Sequence, residues 1–88
     1  MNTYTKAPTE VLDYQEDWSE WLGVDTISSS TWTFPVGLTK NSSSNTTTTA
    51  TVWVSGGTLD TDYTTTNTIV TAGGRTATRT VLFRVRQR

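Results

Sequence analysis

The carboxylates are the side chains of this chain that offer acid–base chemistry, because histidine and cysteine are both absent. Proton transfer and nucleophilic attack near neutral pH usually need histidine, cysteine or a carboxylate with a shifted pKa. A glycosidase, for example, needs two carboxylates about 5 to 9.5 Å apart across a cleft. An 88-residue chain has little volume for such a cleft, so we predict no catalytic residues and no enzyme. On composition the candidates would be Asp13, Glu16, Asp17, Asp60 and Asp62.

Metal and cofactor chemistry has equally little support in the sequence. A metal would need oxygen ligands alone, and the pair Asp60 and Asp62 lacks the rest of a calcium-binding loop. A role in stabilising turns is favoured for these aspartates. Gly56-Gly57 and Gly73-Gly74 neither open a helix nor carry the lysine of a phosphate loop, so we interpret both as hairpin turns. We therefore predict no metal, no cofactor and no small-molecule substrate.

The composition favours β-structure. Threonine contributes 22 residues and serine 8 of the 88, and threonine is tolerated in strands better than in helices. The length allows one domain, which hides only about 60 to 65% of the surface that its unfolded chain exposes. No cysteine is available for disulfide support. An all-β protein with a small core and a narrow stability margin is expected.

The spacing of apolar residues and turn signals predicts about six to seven short strands, arranged as a small antiparallel β-sandwich. A first strand is expected over roughly Leu12 to Trp18, followed by a turn through Gly23. The next strand alternates, with Trp32 on one face and Ile27 on the other. The segment "LTKNSSSN" is either a weak strand or a polar loop, and Thr46 to Ser55 is a β-rich run. Two alternating runs flank Ala72-Gly73-Gly74 near the end, which indicates a tight hairpin.

The same alternation nominates the core. In the last strand every second residue is apolar, and on its expected partner Tyr63, Thr65, Asn67 and Ile69 share one face. Tryptophans are expected to fill much of a core that has few aliphatic residues. Gly74 is expected to supply a positive φ in the hairpin turn. The predicted core and fold residues are Tyr14, Trp18, Trp32, Tyr63, Ile69, Gly74, Val81, Phe83 and Val85.

The N-terminal residues are expected to be an extended arm. The segment "MNTYTKAPTE" is polar and is broken by Pro8, with little to anchor it unless a partner does so. The predicted organisation is an arm over residues 1–11 and a sandwich over residues 12–88. No apolar run approaches the roughly 18 residues of a membrane span, and no export signal is evident at the N-terminus, so we predict no membrane partner.

Charge is distributed unevenly along the chain. Glu10 to Asp25 holds six acids and no base, whereas Arg75 to Arg88 holds five arginines and no acid. These segments either pair with each other or face neighbouring subunits. The terminal "RVRQR" suits phosphates, but a net charge of −1 and the acids elsewhere weigh against nucleic acid as a partner.

Exposed aromatic and charged residues are the candidates for partner contacts. If Val52 and Val54 point into the core, Trp53 points out, and Trp21 lies near a turn. Two exposed indoles also suit sugar stacking, which leaves a carbohydrate-binding module as the alternative function. The predicted partner-binding residues are Tyr4, Lys6, Trp21, Trp53, Arg84 and Arg86.

Three segments taken together resemble a known family. They are "EVLDYQEDWSEWLGVDTISSSTWT", "TTATVWVSGGT", which ends in the turn "SGGT", and "YTTTNTIVTAGGRTATRTVLFRVR". Their order and spacing, over about Lys6 to Arg86, resemble the fiber-tail adaptor proteins of tailed bacteriophages. Thr65 departs from this pattern, because such sequences often place a larger aliphatic residue there.

The resemblance implies an immunoglobulin-like β-sandwich that serves as a structural protein of the virion. It would connect receptor-binding tail fibres to the tail or baseplate within a symmetric assembly of several subunits. The partners would be other phage tail, baseplate and fibre proteins, and the protein would be made in the cytoplasm of the bacterial host. Leu59 to Tyr63 also resembles the approach to a tyrosine corner.

Overall fold

The computed structural model describes residues 2–87, and it consists almost entirely of β-strands. Met1 and Arg88 lie outside the described residues. The helix is a single turn, far too short to cross a membrane, and no other helix that could do so is present in the described part of the chain. The elements are β1 (Asn2–Lys6), β2 (Leu12–Asp17), α1 (Ser19–Leu22), β3 (Ile27–Thr33), β4 (Leu38–Asn45), β5 (Thr49–Gly56), β6 (Thr61–Thr71) and β7 (Thr76–Val85).

Two sheets form the sandwich. One has four strands in the order β1-β7-β6-β3, and the other has three in the order β2-β5-β4. Without β1, this is the division of an immunoglobulin domain, whose strands C, F and G form one sheet and B, E and D belong to the other. Every pairing is antiparallel except that of β1 with β7. The prediction of a small all-β sandwich is confirmed.

Alternation in β6 and β7 builds most of the core. Val81, Phe83 and Val85 of β7 are fully buried, and they lie opposite Thr65, Tyr63 and Thr61 in the register. From the other sheet β5 contributes Ala50, Val52 and Val54, which are also fully buried. A buried apolar stripe every second residue is what drives such strands together.

Strand β3 departs from strict alternation. Period two would put Ile27 and Trp32 on opposite faces, yet both side chains are buried. The register with β6 shifts between Ile27 and Ser29, where one extra residue forms a β-bulge. A bulge changes the facing of all residues before it. The sequence-based assignment of Ile27 to the face opposite Trp32 was therefore wrong. Ser28 is the extra residue of the bulge, and its side chain is exposed, as is that of Ser29.

Strand β1, at the N-terminus, is where the structure differs most from expectation. Asn2–Lys6 is extended, but instead of being a loosely held arm it pairs in parallel with β7 from Val81 to Val85. The Tyr4 hydroxyl donates to the carbonyl of Gln15 at 2.9 Å, which ties β1 to the other sheet. The Tyr4 ring packs 4.9 Å from that of Tyr14. The division of the chain at residue 11 stays a prediction.

The two glycine pairs serve different connections. Gly73-Gly74 closes the β6–β7 hairpin as predicted, whereas Gly56-Gly57 leads from β5 into the opposite sheet and is not a hairpin turn. At Gly57 an added Cβ would lie 2.6 Å from Cγ2 of Val85. In the same connection the Tyr63 hydroxyl accepts a hydrogen bond from the backbone N–H of Thr58 at 2.9 Å, as in a tyrosine corner.

Gly74 provides a test of the hairpin. Its φ is +90° and no atom within 4 Å would contact a Cβ there, so Gly74→Val meets backbone strain without a clash. We expect a loss of about 1 to 3 kcal/mol in the free energy of unfolding, measured by urea denaturation. The control is Ala72→Val at an exposed position, which should change stability by less than about 0.5 kcal/mol. Equal effects of the two substitutions would contradict the assignment.

Candidate partner-binding surface

Arginines of β7 fold back onto the acidic N-terminal segment. The guanidinium of Arg79 lies 4.0 Å from the centroid of the Trp18 ring, and its Nη1 is 3.4 Å from Oε2 of Glu16. The same Nη1 donates to the carbonyl of Asp17 at 2.9 Å. A cation stacked on an indole and paired with a carboxylate is stabilised by both groups.

Arg75, which lies between β6 and β7, also stacks on a tryptophan and pairs with an acid. Its guanidinium lies 4.3 Å from the centroid of Trp21, and its Nε is 3.1 Å from Oδ2 of Asp25. Its Nη2 donates to the carbonyl of Leu22 at 3.1 Å. Two of the complementary charges seen in the sequence are therefore paired within the chain, and β7 is joined to the segment around α1.

Glu16 and Lys6 are both buried. Glu16 has 0% exposure and accepts two hydrogen bonds from Nδ2 of Asn2 at 2.7 and 2.8 Å. Alternation from Leu12 and Tyr14 places Glu16 on their inner face, a signal that was present in the sequence. Lys6, predicted to contact a partner, also has 0% exposure, and its Nζ donates to the carbonyls of Ala7 and Gly56, both at 2.6 Å. Burial lowers the pKa of Lys6.

The remaining predicted contact residues have different surroundings. Arg84 and Arg86 lie beside Asp62 of β6, at 3.8 and 2.8 Å, instead of facing the first strand. Their side chains are 48% and 30% exposed. Tyr4 is half-buried, and burial is the main cause that raises its pKa, with the charge of Glu16 contributing.

The exposed indoles do not form one platform. Trp21 is 38% exposed, but its ring is covered by Arg75 and lies edge-on to Trp18 at 5.6 Å. Trp53 is 43% exposed because Val52 and Val54 take the inner face of β5, which is the condition that the sequence had left open. Asp13 lies opposite Trp53 on β2, a neighbour that sequence reasoning missed.

The two sheets present outer faces of different chemistry. On the four-stranded sheet, alternate residues of β3, β6 and β7 form an outer face, and we call its uncharged part the threonine face: Ser29, Thr31, Thr33, Thr64, Thr66, Thr68, Val70, Thr76, Thr78 and Thr80. Leu82 and the ion pair of Asp62 with Arg84 continue the same outer face at the other end of β6 and β7. On the three-stranded sheet the corresponding residues form the acidic face: Asp13, Gln15, Asp17, Ser42, Ser44, Thr51 and Trp53.

Asp25 organises the end of the sandwich next to the β6–β7 turn. Its Oδ1 accepts hydrogen bonds from the N–H groups of Thr26 at 2.8 Å and Gly73 at 3.0 Å. Hydrogen bonds from the Thr71 side chain and these amides, with the Arg75 guanidinium, lower the pKa of Asp25 from 3.8 to about 2. The carboxylate therefore acts as a turn anchor.

The carboxylates considered for catalysis do not assemble into a site for a metal. Within residues 2–87, no group of three or more acidic side chains is placed to hold an ion. Glu16 and Asp62 are in ion pairs with arginines, and Asp60 lies in the β5–β6 connection with a φ of +62°. These positions fit structural roles in the strands and turns.

The described residues form a small β-sandwich of two sheets with different outer faces, and comparison with known families gives its class. A protein-family model described as podophage GP4 fiber-tail adaptor protein gp77 matches residues 6–84. The chain belongs to this family, so it is a phage fiber-tail adaptor, a structural protein of the virion tail. No curated protein matches it.

Arg79→Ala tests the ion pair between the partly exposed Arg79 and the buried Glu16. Removing the guanidinium leaves the carboxylate of Glu16 buried with only Asn2 as an amide donor and uncovers one face of Trp18. We expect a loss of about 3 kcal/mol in the free energy of unfolding, measured by urea denaturation. Arg84→Ala is the control, because its partner is exposed and its loss should cost less than about 1 kcal/mol. Similar losses in both variants would contradict the role of Arg79.

Asp25→Asn tests the turn anchor through pH. Because the folded-state pKa of Asp25 is below 3.8, its stabilisation is fully present above that pH and is lost as the pH falls to about 2. The free energy of unfolding of the unmodified chain should fall across this window, and in Asp25→Asn the fall should be smaller. Thermal unfolding at pH 2 to 5 measures both. If the free energy of unfolding of the variant falls with pH as steeply as that of the unmodified chain, the role of Asp25 is rejected.

Proposed function

We propose that this chain links tail fibres to the tail or baseplate by protein–protein contacts made through its two outer faces. The observation that carries the proposal is the chemical difference between the threonine face and the acidic face. An adaptor has to bind two different proteins, and a small sandwich can do so when its opposite surfaces select different partners.

The threonine face suits an uncharged partner surface. Its hydroxyl and methyl groups lie in rows across three strands, and Oγ1 of Thr68 is 3.0 Å from Oγ1 of Thr78 in one such row. A partner that carried an unpaired charge onto this face would lose hydration without gaining an ion pair. The face therefore favours partners with polar, uncharged side chains and disfavours charged ones.

The acidic face suits a basic partner. Asp13 and Asp17 lie on it, with no lysine or arginine among its seven residues. Charges of one sign steer an oppositely charged partner and fix its orientation more than they add affinity. In a symmetric assembly of several copies, which we also propose, a modest contact repeated at each copy would give firm attachment.

A carbohydrate-binding module is the second candidate, supported by the exposure of Trp53 alone. Trp21 does not add a second stacking surface to it, because Arg75 covers that ring. Glycan binding that is lost in Trp53→Ala, with the fold intact, would favour this candidate over the adaptor.

The matched substitutions Thr80→Lys and Gln15→Lys test the two-face arrangement. Each adds one positive charge at an exposed strand position, the first on the threonine face and the second on the acidic face. We expect each to weaken binding to one partner, fibre or tail protein, by at least about tenfold and to leave the other unchanged, because each charge is unfavourable in one interface only. Binding to purified tail and fibre proteins, by calorimetry, measures both. Equal effects of either substitution on both partners would overturn the proposal.

A further inference from the structure

We propose that Trp53 and Asp13 form a receptor for an arginine side chain of the protein that binds the acidic face. This inference rests on the proposed function and identifies the partner chemistry at that face. It starts from a repeated arrangement within the chain: a tryptophan and a nearby carboxylate that hold one guanidinium between them.

Two of these tryptophan–carboxylate pairs hold an arginine of the same chain. Arg79 stacks on Trp18 at 4.0 Å and pairs with Glu16, while Arg75 stacks on Trp21 at 4.3 Å and pairs with Asp25. Arg79 belongs to β7, and Arg75 directly precedes that strand. In each case the indole supplies a negatively polarised face and the carboxylate supplies the counter-charge.

The third copy is open on the surface. Asp13 and Trp53 lie directly opposite each other in the β2–β5 register, where side chains on the same face are about 4.5 to 5.5 Å apart at Cβ. Within residues 2–87, no cation stacks on Trp53 and no base forms an ion pair with Asp13.

The cations of residues 2–87 are engaged elsewhere. Lys40 lies near this strand, but its Nζ donates to the carbonyl of Trp32 at 3.2 Å. The arginines Arg75, Arg79, Arg84 and Arg86 each pair with an acid other than Asp13. Because no cation of residues 2–87 occupies the site, we assign the occupant to another protein. Arginine fits better than lysine, because its planar guanidinium can stack on the indole and bond the carboxylate at the same time.

The position of Trp53 also suits a contact residue. It lies on the central strand of the three-stranded sheet, flanked by Asp13 on one side and Ser42 on the other. Interfaces concentrate binding energy in central tryptophans surrounded by polar residues that exclude water. An arginine that reaches Trp53 would be desolvated on one face while its N–H groups remain bonded to Asp13.

The test uses the full chain labelled with ¹⁵N and three capped tripeptides, Gly-Arg-Gly, Gly-Lys-Gly and Gly-Gln-Gly. The arginine peptide should shift the indole N–H signal of Trp53 saturably, with a dissociation constant in the millimolar range, and added salt should weaken it. The lysine peptide should bind less tightly, and the glutamine peptide should cause no saturable shift. The indole signals of Trp18, Trp21 and Trp32 should not move.

Asp13→Asn should lower the affinity for the arginine peptide by about threefold to tenfold, because the counter-charge is lost while the stacking surface remains. Asp60→Asn is the matched control, since it removes an exposed charge from the β5–β6 connection, and it should leave the affinity unchanged. Equal affinities of the two variants, or an equal response to the glutamine peptide, would overturn the arginine receptor. Sedimentation that shows a dimer lost in Trp53→Leu would assign the arginine to a second copy and overturn the assignment to a different protein.

Failure of this inference is separable from failure of the adaptor role. If the chain binds tail and fibre proteins while the Trp53 indole signal does not shift with the arginine peptide, the receptor is rejected and the adaptor role stands. If the peptide binds at Trp53 and neither protein binds, the receptor stands and the adaptor role is rejected.

Discussion

The buried indole of Trp18 joins both sheets and both charged segments of the molecule. Its Nε1 donates to Oδ1 of Asn67 on β6 at 2.9 Å, and its backbone N–H donates to the carbonyl of Thr48, before β5, at 2.9 Å. The guanidinium of Arg79 on β7 stacks over one face of the ring at 4.0 Å. Aliphatic side chains are few in this chain, so a large ring with a hydrogen-bonding edge supplies both apolar area and directional contacts.

The surface chemistry follows from how the charges are used inside. Arg79 of β7 and Arg75, directly before β7, stack on Trp18 and Trp21 and bind acids from the N-terminal segment, so these charges are neutralised within the chain. On the outer faces there remain rows of hydroxyl groups beside the Asp62–Arg84 ion pair on one sheet, and two aspartates with an indole on the other. The internal ion pairs therefore orient the strands and also determine which charges are available to partners.

Sequence patterns were sufficient where one strand alternates without interruption. The inward residues Val81, Phe83 and Val85, and the outward Trp53, follow from period two, because a side chain's face depends only on its position along a regular strand. The β6–β7 hairpin follows from Gly73-Gly74, since positive φ has a strong local signature. These predictions needed no knowledge of which strands are neighbours.

The same patterns were insufficient where pairing between distant residues decides the outcome. The bulge in β3, the parallel attachment of β1 and the role of Gly56-Gly57 as a crossing between sheets each depend on a partner strand far away in sequence. The burial of Lys6 depends on carbonyls from two segments that meet only in the folded chain.

For this protein, local alternation and turn residues were enough to establish a threonine-rich β-sandwich with aromatic residues in its core. Tertiary contacts decided which acid meets which arginine. The pairing of β2 with β5 made Asp13 and Trp53 neighbours, and no cation of the described residues binds to either of them. The physical reason is one of range: strand periodicity is set by the backbone within a few residues, whereas a charge finds its partner through space, after the sheets have closed.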